Sequence, residues 1–241
     1  MRFKDRVDAG RMLATRLAAL RPERPMVVAL PRGGVPVAYE IAKALGAPLD
    51  VLIARKLGAP RHPELGIGAV AQGGASYVNA EAIAMLGVRR EYIEAVTRAE
   101  LSEIDRRLQA YRGSRPPLDV HERTVIVVDD GLATGATMRA AIRSLRQQKP
   151  RSIVLAVPVC AAETASELRR EVDEVVCGMI PVDFCAVGLW YRDFTQTTDE
   201  EVVRLLEGAE REQAEREGDP HAGVWPQSAP LDPKQPRGRV S

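Results

Sequence analysis

The chain has 241 residues and carries 34 Lys plus Arg against 33 Asp plus Glu, a formal net charge of +1. That length suits one α/β domain with a substantial core plus extensions, and a balance so near neutral gives no global field to favour nucleic acid or an anionic membrane. The cysteines Cys160, Cys177 and Cys185 form no Cys-x-x-Cys pair, the N-terminus lacks the apolar core of a signal peptide, and no apolar run approaches the roughly 20 residues of a membrane span, so a soluble protein of a reducing cytoplasm is expected.

Val7, Leu13, Leu17 and Leu20 recur near helical spacing behind Asp5, a suitable N-cap, which predicts a first helix over residues 5–20. Residues 26–30 read as a short buried strand, 31–34 as a loop, 35–45 as a helix stopped at Gly46, and 49–54 as the next strand. Residues 56–76, rich in glycine and carrying Pro60 and Pro63, are expected to form a mobile loop or a loose hairpin. Residues 89–112 read as a highly charged helix with one apolar stripe, Leu101, Ile104, Leu108 and Tyr111, that either packs across the sheet or joins a homodimer. The pattern then returns with strands at 124–129, 152–158 and 174–177 and helices at 136–148 and 162–171. Such alternation predicts an α/β fold, an open and mainly parallel sheet with crossover helices. After Leu206 acids alternate with arginines and then Pro, Gly and polar residues dominate, so a domain over 1–206 is expected to give way to a frayed helix and flexible tail over 207–241, with Trp225 placed to dock on the domain or a neighbour.

The most informative segment is Val125-Ile-Val-Val-Asp129-Asp130-Gly131-Leu132-Ala133-Thr134-Gly135-Ala136-Thr137. A β-branched run of this kind suits a strand buried on both faces of a parallel sheet, which presents functional groups at its carboxyl end. Adjacent carboxylates there repel unless they accept hydrogen bonds or approach a cation; vicinal sugar hydroxyls and a hydrated Mg²⁺ both fit. Gly131 and Gly135 permit a tight turn into a helix whose free N–H groups surround an anion, and Thr134 and Thr137 add hydroxyl donors. A second turn of the same character, Pro31-Arg32-Gly33-Gly34, leads from the first strand into a helix. Arg55 and Lys56 stand at the end of the strand that follows.

These residues resemble the 5-phosphoribosyl 1-diphosphate (PRPP) signature of type I phosphoribosyltransferases. The resemblance covers residues 5–206 and is strongest at 124–138. It implies that Asp129 and Asp130 contact the ribose hydroxyls, and Mg²⁺ through those hydroxyls or water, while residues 131–137 hold the 5-phosphate. The turn Arg32-Gly33-Gly34 resembles the family's pyrophosphate loop, and Arg55-Lys56 the basic pair that approaches the pyrophosphate in adenine-type enzymes. Cations there would stabilise a leaving group that gains charge in the transition state. The family also implies a small hood near the C-terminus, here over 178–198, where Phe184, Trp190 and Tyr191 offer a platform for a flat acceptor or pack a terminal segment.

Two departures bear on the acceptor. Ala133 stands where 6-oxopurine enzymes carry an Asp, and Val157-Pro158-Val159 where they carry a Lys, so guanine or hypoxanthine recognition is not expected. The leading expectation is Mg²⁺-dependent transfer of ribose 5-phosphate from PRPP to a nitrogenous acceptor, with no nucleic-acid or membrane partner. A non-catalytic sensor of PRPP or nucleotide using the same fold is the alternative, and a hydrolase acting on the same sugars a third. Ser-His-Asp and metal-hydrolase chemistry lack support, because His62, His121 and His221 fall in loop, pre-strand and tail contexts without a nucleophile motif or a ligand cluster.

Overall fold

The computed structural model describes residues 2–218. The tail expected over 219–241, Trp225 and His221 included, lies outside the described residues. The first half comprises α1 (Arg6–Arg16), β1 (Met26–Ala29), α2 (Gly34–Leu45), β2 (Leu49–Val51), β3 (Ala54–Ala59), β4 (His62–Ala71), β5 (Ser76–Val78), α3 (Ala80–Leu86) and α4 (Arg90–Arg112). The second half comprises β6 (Thr124–Val128), α5 (Ala136–Gln147), β7 (Ser152–Val159), α6 (Ala162–Leu168), β8 (Glu174–Met179) and α7 (Asp199–Glu217).

Five strands form a parallel sheet in the order β2-β1-β6-β7-β8. Its side chains alternate between two cores. Val27, Ala29, Ile126, Val128, Val154 and Ala156 face α1, α2, α4 and α7, whereas Val28, Val125, Val127, Ile153, Leu155 and Val157 face α5 and α6. Burial on both faces is why these strands read as unbroken apolar runs instead of an in-out alternation. The helix boundaries follow local chemistry: the Asp5 side chain accepts from Asp8 N–H at the start of α1, and Gly46, at φ 65°, closes α2.

Two expectations are corrected, and one of the two readings of α4 is seen. Of the two readings of residues 56–76, a mobile loop or a loose hairpin, the loop is corrected: β3 and β4 form an antiparallel hairpin that β5 extends into a second sheet, with Leu57, Ile67, Ala69 and Val70 fully buried. Its glycines supply close approach as well as turns. A Cβ on Gly68 would lie 2.3 Å from the Tyr77 carbonyl, and one on Gly58 2.6 Å from the Pro63 carbonyl, where the β3–β4 register is irregular. The boundary at 206/207 falls inside α7, which starts at its Thr198 N-cap and runs unbroken to Glu217. Buried Val202 and Leu206 anchor its first half, while the Tyr39 hydroxyl donates to Glu212 at 2.6 Å and Arg115 pairs with Glu210 at 2.7 Å in its second. The apolar stripe of α4, expected either to pack across the sheet or to join a homodimer, packs on the core: Ile104 and Tyr111 are buried, and the partly buried Leu101 and Leu108 pack against the same cluster.

Candidate active site

Strands β1 and β6 are adjacent, with Ala29 opposite Val128. From β1 the chain crosses through α2 to β2 on one side; from β6 it crosses through α5 to β7 on the other. The crevice between their carboxyl ends is therefore a topological switch point, where open α/β sheets bind ligands. Both glycine-containing turns and both carboxylates emerge there.

The two turns are pressed together. A Cβ on Gly34 would sit 2.7 Å from the Val128 carbonyl, and one on Gly33 only 2.0 Å from Asp130 Oδ2. Gly33 has helical angles, φ −61° and ψ −29°, so space and not conformation requires glycine. The Pro31–Arg32 peptide bond is cis. In the longer turn, Leu132 N–H donates to the Val159 carbonyl at 2.9 Å, Ala161 N–H returns to the Leu132 carbonyl at 3.0 Å, and the Thr164 hydroxyl donates to the Ala133 carbonyl. Gly131 abuts Val187, and Gly135, at φ 68°, abuts Thr164. The first bond of α5 runs from Arg139 N–H to the Gly135 carbonyl at 2.9 Å, so the amides of Ala136, Thr137 and Met138 point from the helix end without helical acceptors. Thr134 and Ala133 are exposed at the mouth.

Asp129 and Asp130 lie side by side, the Asp129 carboxylate accepting from Asp130 N–H at 2.8 Å. Burial and the neighbouring charge of Asp130 push the Asp129 carboxyl well above the usual carboxylate range. Burial also raises Asp130, against the opposing pull of Arg6. Arg6 Nε and Nη2 both reach Asp130 Oδ2 at 2.8 Å, its Nη1 donates to the Thr195 carbonyl at 2.7 Å, and its guanidinium stands 4.1 Å from the Phe194 ring centroid. Nothing in the local sequence flags Arg6; it opens the first helix, 124 positions from its partner.

The remaining predicted residues are distributed as follows. Arg32 approaches Asp199 at 3.9 Å, and the Tyr111 hydroxyl donates to the same carboxylate. Arg55 points to α4, where Glu100 holds it at 2.7 Å, and Lys56 donates to the Glu64 carbonyl within the β3–β4 hairpin. Neither joins the acid pair in this arrangement. Tyr191 is buried and cannot be an open platform: its hydroxyl donates to the Asp130 carbonyl at 2.6 Å and its ring lies between Phe3 and Phe194. Phe184 and Trp190 pack against the cluster of Phe3, Ala9, Val159 and Tyr191. The hood over 178–198 is thus built with the N-terminus: Phe3 N–H donates to Trp190, and Arg192 and Asp193 N–H donate back to Phe3 and Lys4, all at 2.9 Å. Cys160 is buried, its thiol pushed up by its contact with Cys177 and by burial, as suits a core residue.

A phosphoribosyl transferase domain model matches residues 6–187, a span that contains the switch point, both turns and the acid pair. The chain belongs to the phosphoribosyl transferase family. A provisionally named phosphoribosyl transferase of Mycobacterium tuberculosis H37Rv is 46% identical over 213 residues, covering 88% of this chain and 48% of its own length. The chain therefore spans about half the length of the curated relatives of that kind. A uracil phosphoribosyltransferase of Clostridioides difficile is 42% identical over 67 residues, 28% of this chain and 32% of its own. The crystal structure of TT1426 from Thermus thermophilus superposes with a TM-score of 0.73 at 44% identity, over 86% of this chain and 98% of that one. Among the described residues, no helix of the transferase domain is long and apolar enough to cross a membrane.

Proposed function

We propose that the domain binds PRPP across the β1/β6 switch point and transfers its ribose 5-phosphate to a nitrogenous acceptor with release of pyrophosphate. One observation supports this reading above all: two anion-binding turns leave adjacent parallel strands with two carboxylates between them. PRPP carries a phosphate and a pyrophosphate on one ribose, and its charge distribution follows that layout. The amides of residues 136–138 with Thr134 and Thr137 would hold the 5-phosphate, Asp129 and Asp130 the ribose hydroxyls, and Arg32 with the backbone of Gly33 and Gly34 the pyrophosphate. Catalysis would then come from positioning and from charge stabilisation of the leaving group. Arg55 and Lys56 would contribute by exchanging Glu100 and the Glu64 carbonyl for the pyrophosphate.

Among the described residues no group of three His, Cys, Asp or Glu side chains is placed to hold a metal ion. Two carboxylates whose charges resist burial suit Mg²⁺ that arrives chelated by substrate oxygens and keeps its waters. Asp129 and Asp130 would hold it through those waters or the ribose hydroxyls, and the ion would neutralise the departing pyrophosphate.

The likeness to the uracil enzyme covers too little of the chain to carry the acceptor across. A binding-only role as a PRPP or nucleotide sensor draws on one observation, that Arg55 and Lys56 are both engaged away from the acid pair. Incubation with PRPP, Mg²⁺ and a panel of bases, followed for pyrophosphate release, separates the two. Turnover with any base establishes transfer; tight PRPP binding with no turnover on any base favours the sensor.

A further inference from the structure

We propose that Arg6 is a positioning residue for the sugar: its guanidinium fork grips one carboxylate oxygen of Asp130 and so aims that carboxylate at the donor ribose. The inference rests on the reading of the site as a PRPP site and adds to it a residue from the far end of the chain.

The geometry leaves Arg6 little freedom. Nε donates to Asp130 Oδ2 at 2.8 Å, and Nη2 lies at ion-pair distance from the same oxygen, 2.8 Å. Nη1 is used separately, on the Thr195 carbonyl at 2.7 Å, and the guanidinium lies 4.1 Å from the Phe194 ring centroid. Only 11% of the Arg6 side chain and 16% of that of Asp130 remain exposed. The base of the side chain is equally fixed. Asp5 caps α1 immediately before it, and the Lys4 carbonyl accepts from Asp193 N–H at 2.9 Å, which ties this end of the chain to the hood.

A carboxylate beside Asp129 would otherwise be free to rotate about its own χ angles, and its Oδ2 sits in the space that the missing Cβ of Gly33 leaves open, 2.0 Å from where that Cβ would lie. A hydrogen bond to a diol depends on where the acceptor oxygen points, so a fixed rotamer spares the ligand the entropy of fixing it. A planar guanidinium fits this task and an ammonium does not, because its Nε–Nη2 edge faces the carboxylate while Nη1 reaches the Thr195 carbonyl, a span that a single ammonium nitrogen does not bridge. Surface ion pairs contribute little, but this one is largely desolvated, and each of the three guanidinium nitrogens faces a partner oxygen.

The test is a double-mutant cycle on PRPP affinity, measured calorimetrically with Mg²⁺ for wild type, Arg6→Gln, Asp130→Asn and the double variant, with Tm recorded for each. Arg6→Gln is expected to weaken PRPP roughly tenfold alone but by less than about twofold in the Asp130→Asn background, because its effect passes through that carboxylate. A residue that merely supports the hood would weaken binding by the same factor in both backgrounds, and additivity overturns the proposal. Unchanged or tighter binding by Arg6→Gln overturns it as well, since Arg6 would then be idle or a competitor for the sugar. Should Arg6→Gln fail to fold, Arg6→Lys carries the test: it keeps the charge, and it must still lose several-fold in affinity at unchanged Tm, whereas wild-type affinity overturns the inference. Failure of wild type itself to bind PRPP sinks the donor assignment, a result distinct from every outcome above.

Discussion

The two glycine-containing turns, proposed to hold the donor, and the hood sit at the same end of the sheet and are built in opposite ways. Each donor turn is a contiguous strand-turn-helix whose polar groups follow its strand within a few residues, as Asp129 to Thr137 follow β6. The hood joins Phe3–Arg6 to residues 190–195, segments more than 180 positions apart, through three backbone bonds and the Arg6 contacts. Local motifs thus write the turns proposed to hold PRPP, and long-range packing writes the hood and brings Arg6 to Asp130.

The sharpest way to break that comparison is to remove both acids of the donor side. Asp129→Asn with Asp130→Asn is expected to cost PRPP binding roughly 100-fold or more, since hydrogen bonds to charged acceptors contribute about 1.5–3 kcal/mol each. Calorimetric titration with PRPP and Mg²⁺ measures it, and retained affinity would dissociate the motif from the donor.

Gly33→Ala probes the seam between the turns and should come next in size. The added Cβ would overlap Asp130 Oδ2 and approach Arg6 Nε at 3.2 Å, while the helical φ of −61° removes any backbone objection to alanine. We expect PRPP affinity to fall about tenfold, the equivalent of roughly 1.4 kcal/mol, with secondary structure unchanged by circular dichroism. Wild-type affinity would mean that the Arg6–Asp130 pair tolerates displacement.

The same contrast explains what was legible. Alternate burial of Val125 to Val128 by two cores, the Asp5 cap and the Gly46 stop are local, and the elements follow them within a few residues. Residues 56–76 left a loop and a hairpin both open because glycine signals a flexible turn and a close strand approach alike, and only the tertiary neighbours of Gly58 and Gly68 separate the two. The charge alternation after Leu206 hid the partners of Tyr39 and Arg115, which lie on other elements. Arg6 was invisible because its meaning depends wholly on Asp130 and Thr195.

The acid pair also leaves a signature in stability. Asp129 titrates above its unfolded value of about 3.9, so the folded state holds its proton more tightly, and stability is lost as pH rises from that value through the raised folded pKa. Asp129→Asn abolishes that loss. Its Tm should exceed that of wild type by about 2–4 °C near pH 7, the equivalent of roughly 1 kcal/mol for a domain of this size, and the gap should close toward pH 4. A gap that widens on acidification would show that the carboxylate is stabilised as the anion, which would reverse the electrostatic account of the site.

The smallest expected effect on binding belongs to Tyr191→Phe, whose hydroxyl meets the acid pair only at the Asp130 backbone and whose ring contact with Arg6 the substitution keeps. The substitution keeps the ring between Phe3 and Phe194, at centroid distances of 5.5 and 5.1 Å, and deletes only the hydroxyl that donates to the Asp130 carbonyl at 2.6 Å. Loss of one buried donor leaves that carbonyl unpaired at a cost of about 1–3 kcal/mol, so Tm should drop by at least about 2–4 °C. PRPP affinity should change far less than in Gly33→Ala, because the carboxylate keeps Arg6. A large fall in affinity with an unchanged Tm would invert this ordering. It would place Tyr191 in the donor machinery and dissolve the division between a locally encoded donor side and a hood assembled from the chain ends.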